Sequence, residues 1–149
     1  MNIAKYKYSV SDTYLDFEFD SDGPKGKIRK VVRYSYQVAN GISYYNLGFG
    51  DLDPSTGKIN DLAVTNNKDR EKILATVAAT VLDFIKRFPD AIIYAKGSTL
   101  ARTRLYQIGI AAHWDEIGSV LYVYGYEKDR GWELFRKNVS YGAFFITRK

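Results

Sequence analysis

A chain of 149 residues that is 46% hydrophobic can build one domain around one core, expected here over residues 1–149. Cysteine is absent and His113 is the single histidine, which excludes a disulfide framework, a thiolate metal site, a thiol nucleophile and a histidine metal cluster. A net charge of +5 and a pI near 9.3 admit RNA or another polyanion as partner.

The N-terminal run "MNIAKYKYSV" lacks the basic, apolar and small-residue parts of a signal peptide, so a cytoplasmic protein without a membrane segment is expected. Strand signals come first. "KYKYSV" alternates, and "YLDFEF" sets Leu15, Phe17 and Phe19 on one face against Asp16 and Glu18. The run 28–38 alternates again, with Ile28, Val32, Tyr34, Tyr36 and Val38 expected toward the core and Lys27, Arg29 and Arg33 on the other face. Asn40-Gly41 is a hairpin signal, and the returning strand presents Tyr45, Leu47 and Phe49 on one side. "DPSTGK" turns the chain into "INDLAV".

A helix is expected from about Lys68 to Phe88, with Asn66, Asn67 and Asp69 as cap candidates and Pro89 ending it. Leu74, Val77, Ala78, Val81, Phe84, Ile85 and Phe88 recur at helical spacing, while Thr76, Thr80, Asp83 and Arg87 make a polar stripe. The rest of the pattern is a short strand "AIIYA", a second helix over 98–111, and strands in "SVLYVYGYE", "GWELFRK" and "AFFITR". This order predicts an α+β domain: an antiparallel β-meander with one long buried helix and a second shorter helix.

Two regions carry cations without acids. Residues 23–33 hold Lys25, Lys27, Arg29, Lys30 and Arg33; Lys25, Lys27, Arg29 and Arg33 are the candidate nucleic-acid contacts. Residues 91–114 hold Lys96, Arg102, Arg104 and His113. Within the latter, "AKGSTLARTRLY" reads as a strand–turn–helix step. Gly97 permits a tight turn, and Ser98 or Thr99 caps the helix. Lys96, Gly97, Ser98, Thr99 and Arg102 form a candidate anion site, because a helix N-terminus offers free N–H groups and a partial positive charge. A helical wheel places Ala101, Leu105, Ile108 and Ala112 on the buried face, Arg102 and Arg104 on its flanks, and Thr99 and Thr103 outward. On that wheel Arg104 is the structural arginine and Arg102 the ligand-binding one.

Other motifs fail on spacing. "GPKGKI" is too short for a phosphate-binding loop and precedes a strand. "DLDPSTG" lacks the glycine and glutamate of a calcium loop, leaving a hairpin turn and a weak magnesium alternative at Asp51, Asp53 and Asp61. No metal and no cofactor is expected.

The blocks "GPKGKIRKVV", "YNLGFGDLDPSTGKINDL", "TNNKDREKILATVAATVLDFI" and "AKGSTLARTRLYQIGI" resemble an uncharacterised bacterial domain family of unknown function, and the likeness covers most of the chain. It implies a small stand-alone α+β domain and supplies no catalytic residues.

Charge, size and thirteen tyrosines favour a small basic protein that binds RNA, or cleaves it as a toxin-like metal-independent ribonuclease. Arg102, Arg104, Tyr106 and His113 are then the catalytic candidates. A small acidic protein is the partner that the toxin reading implies. The alternative is a non-catalytic module that binds a protein or a small anionic ligand, with surface tyrosines and Trp132 as contact area.

Overall fold

The computed structural model describes residues 4–60 and 67–149. Strand β1 (Ser9–Val10) leads into a meander of β2 (Asp16–Gly23), β3 (Gly26–Ala39) and β4 (Ile42–Leu52), with β5 (Ile59–Asn60) returning against β4. Helix α1 (Arg70–Arg87) then crosses over to β6 (Ile93–Ala95), which runs parallel to β4. Helices α2 (Leu100–Ala112) and α3 (Trp114–Val120) follow, then β7 (Leu121–Glu127), β8 (Gly131–Leu134) and β9 (Phe144–Arg148). Among the described residues the sheet has nine strands, in the order β1-β2-β3-β4-β6-β9-β7-β8 with β5 beside β4, and is mostly antiparallel. The α+β class holds.

The hairpin turns where the sequence says it should. Asn40 and Gly41 both take positive φ, 52° and 78°, the twist that a two-residue turn between right-twisted strands requires. Side chains alternate along each strand, so one face of the sheet collects Phe17, Phe19, Val32, Tyr34, Leu47, Phe49, Ile93 and Ile146 against α1 and α2. At its centre the Tyr34 ring stacks on Phe84 with centroids 4.1 Å apart. Between the sheet and the two long helices lies a small apolar cavity of about 50 Å³, bordered by Leu74, Val77, Ala78, Tyr106, Gly109 and Ile110.

Several expectations need correction. The polar stripe of α1 is buried in part: Thr76 and Thr80 are inside and Asp83 is half-buried under tyrosines from residues 6–14, while Arg87 is exposed as expected. The Tyr6 backbone N–H donates to Thr76 Oγ1 at 2.8 Å, and Tyr8 and Tyr14 hydroxyls donate to the two oxygens of Asp83. Asp69 stands at the N-cap of α1 but makes no side-chain cap bond. It accepts from the Tyr6 and Ser21 hydroxyls instead. Helix α2 begins at Leu100 and is rotated from the expected phase, burying Thr103, Tyr106, Gly109 and Ile110, while Ala101 and Ala112 are exposed. Helix α3 lies beyond the second helix expected over 98–111 and takes in Ser119 and Val120, expected in a strand; Trp114 packs across Gly118, where a Cβ would lie 2.9 Å from the indole. Tyr36 and Val38 do not reach the core, since the β3–β4 hairpin runs past it. Asp61, Asn66 and most of "INDLAV" lie outside the described residues.

Candidate functional site

The β6–α2 turn is packed inward. The Gly97 N–H donates to Thr103 Oγ1 at 2.9 Å, and a Cβ on Gly97 would meet Arg102 Cβ at 2.5 Å. Glycine is therefore needed here for the turn to close on the first turn of α2. Thr99 is the N-cap: its hydroxyl accepts from the Arg102 N–H at 3.1 Å. Lys96 and Ser98 are exposed around this turn, and Arg102 is half-buried with its guanidinium 5.4 Å from the Phe49 ring centroid.

The catalytic candidates point different ways. Arg104 is exposed, whereas Tyr106 is buried beside the apolar cavity. His113, the residue that ends α2, is buried, and burial lowers its pKa although nearby Glu116 opposes that. From Arg102 to His113 the helix rises roughly 16 Å, so these two do not share one substrate atom. Among the described residues, no group of three His, Asp or Glu could hold a metal ion.

The basic strand is answered in register by acids on the preceding strand, β2. Asp16 lies opposite Arg33, Asp20 opposite Arg29 and Asp22 opposite Lys27. Arg33 Nε donates to Asp16 at 2.8 Å and its Nη1 to the Gly57 carbonyl at 3.1 Å. Arg29 bridges Glu18 and Asp20 at 3.1 and 3.2 Å, and Lys30, on the core side, pairs with Asp51. Lys25 and Lys27 remain exposed, and the Lys25 N–H donates to Asn67 Oδ1, which pins the turn to the start of α1.

The sheet face away from the helices gathers Trp132 and the tyrosines expected as contact area, whose assembly into one surface the sequence does not show. Tyr122, Tyr124 and Tyr126 all point to this face from β7; the register sets Tyr124 beside Phe145, Phe145 beside Tyr94, and Tyr126 beside Trp132. The rings form a connected ridge. Tyr44 meets Tyr94 at 5.8 Å, Tyr94 meets Phe145 at 5.1 Å, Phe145 meets Trp132 at 4.4 Å, and Trp132 meets Tyr126 at 5.3 Å. Tyr122, Tyr126 and Trp132 are each 40% or more exposed. Lys96 follows β6 two residues after Tyr94, Lys149 Nζ lies 5.4 Å from the Tyr122 centroid, and Lys128 stands in the turn beyond Tyr126. The signal was present as alternation in "LYVYGYE", whose odd positions (Leu121, Val123, Gly125) are buried while the tyrosines are not. Only the pairing of five separate strands assembles those rings into one surface.

A sheet closed by helices on one side and aromatic on the other, with lysines around the rings, defines an α+β protein with an open aromatic face. The chain belongs to a family of unknown function, DUF6934, whose profile matches residues 2–149. No curated protein and no solved structure shows a significant match. Among the described residues no helix is long and apolar enough to cross a membrane.

Proposed function

We propose that this protein binds single-stranded RNA on the open face of its sheet, without cleaving it. The observation that carries this reading is the ridge of contacting rings from the partly buried Tyr44, Tyr94 and Phe145 to the exposed Trp132 and Tyr126. Unpaired bases stack on such rings whatever their identity, each stack contributing about 1–3 kcal/mol. The lysines at positions 96, 128 and 149 supply charge for the phosphates, within a chain of net charge +5. Binding is favoured over ribonuclease activity because Tyr106 and His113 are buried and Arg104 points to solvent.

Titration with a short uridine oligonucleotide, followed by Trp132 fluorescence, tests this. The expected outcome is quenching on binding, and a loss of affinity of about ten- to a hundred-fold in Tyr94→Ala. Neutralising Lys96 and Lys149 should each lower the salt dependence by about 0.7 in log–log slope. Binding that is indifferent to Tyr94→Ala and follows Lys25 and Lys27 instead would move the site to the β2–β3 turn. A chain that ignores single-stranded RNA at low salt would end the reading. The second reading, a protein partner on the same face, is favoured by Leu134, which stands 56% exposed beside the rings.

A further inference from the structure

The β3–β4 hairpin outruns its neighbours. The β2 ladder stops at Asp16 opposite Arg33, and β6 meets β4 only from Tyr45 onward. Residues 35–39 thus form a sheet edge that no described strand covers. The Tyr34 N–H donates outward to the Leu15 carbonyl, so strand alternation turns the N–H and C=O groups of Tyr36 and Val38 the same way, onto the open edge. Their side chains are also bare: Tyr36 is 56% and Val38 60% exposed. Natural edges are normally protected by lysine, proline or a bulge. This one has none, and no charged residue occurs from Tyr34 to Gly50.

We propose that this edge pairs with the same edge of a second copy, forming a two-fold symmetric dimer in which β3 lies antiparallel to its counterpart. With the axis at Gln37, Tyr36 falls opposite Val38 of the other copy and Val38 opposite Tyr36. Each pair exchanges its outward N–H and C=O groups, as a hydrogen-bonded antiparallel pair does. The same register sets an exposed aromatic against an exposed β-branched side chain on both sides of the axis, a favourable cross-strand combination. The edge is complementary to itself in this register, and with no charged residue from Tyr34 to Gly50 no like charges face each other across the axis, so a second copy fits it. An axis normal to the sheet also leaves both aromatic faces on one side.

Sedimentation equilibrium of the full chain across the micromolar range is the test, together with hydrogen exchange at high and low protein concentration. The wild type should associate reversibly to a dimer. Val38→Lys should be monomeric at the same concentrations, with an unchanged melting temperature. Ile42→Lys should dimerise normally, because Ile42 pairs with Ala39 and so lies on the opposite face of the ribbon. The Tyr36 and Val38 amides of the unaltered protein should gain protection as concentration rises, a readout that needs no variant. A wild type that stays monomeric, a dimer that survives Val38→Lys, or amides whose exchange ignores concentration would overturn the pairing.

Discussion

In the middle of the core the Tyr34 hydroxyl donates to Thr80 Oγ1 at 3.0 Å, and Thr80 donates in turn to the Val77 carbonyl at 2.8 Å. Burial pushes the Tyr34 phenol far up, so it stays protonated and remains a donor. Thr80→Val keeps the shape and strands that hydroxyl, which should cost about 1–3 kcal/mol in urea unfolding. Thr80→Asp adds a buried charge and should cost on the order of 3 kcal/mol or more. The periodicity of α1 reads Thr80 as outward, since a hydroxyl counts as polar in any wheel. What the wheel omits is a partner, and the partner here is 46 residues away. Glu133 shows a second residue-scale effect. The Arg130 guanidinium, the Tyr141 hydroxyl and Arg136 hold its carboxyl down to about 2, against an ordinary value of 4.5. A depressed carboxyl pKa adds stability above 4.5 that is lost as pH falls through 2. Acid unfolding of Glu133→Gln should therefore be flatter than wild type between those values, and the two should differ by a constant amount above them.

Two glycines of α2 and its approach show how differently one residue type can serve an element. Gly109 lies inside the helix beside the apolar cavity, and a Cβ there would stand 3.7 Å from Leu74, an ordinary van der Waals distance. Gly109→Ala should raise stability by about 0.5–1 kcal/mol, from helix propensity and partial filling of the void. Gly97→Ala should lower it, because its Cβ would collide with Arg102 and Thr103. Paired melting curves decide both, and a gain in Gly97→Ala would show that the turn opens easily. The existence of α1, the β3–β4 hairpin and the β6–α2 step is legible because each has strong local punctuation: Pro89, Asn40-Gly41 and Gly97 with Thr99. The phase of α2 is not. Its buried side is led by Thr103 and Tyr106, whose hydroxyls disguise them, while the aliphatic Leu100 and Ile108 are left exposed.

At the scale of the molecule, the sequence places cations in blocks and the fold disperses them. The acids Asp16, Glu18 and Asp20 look like a separate patch in the chain and become the neighbours of Arg29 and Arg33 in the sheet. Composition shows neither the acids that pair with Arg29 and Arg33 nor the aromatic face, whose rings come from β4, β6, β7, β8 and β9. Register is a tertiary property, set by which strands meet. The candidate site is legible only as an inventory of tyrosines.

The position of β9 has a consequence for how the molecule is made. Residues 144–148 lie between β6 and β7, with Phe144 fully buried, so this late segment alone joins the β7–β8 hairpin to the rest of the sheet. During translation β6 is synthesised about fifty residues before its neighbour β9 (Ala95 to Phe144), and until then one side of β6 has no strand beside it. A chain stopped at Ala143 should give no cooperative melting transition and should bind a dye for exposed apolar surface; cooperative unfolding would show that the fold closes without β9. A ribosome that stalls before codon 144 thus holds a nascent chain whose Ile93–Ala95 edge lacks its β9 partner, the kind of unpaired edge that leads to aggregation.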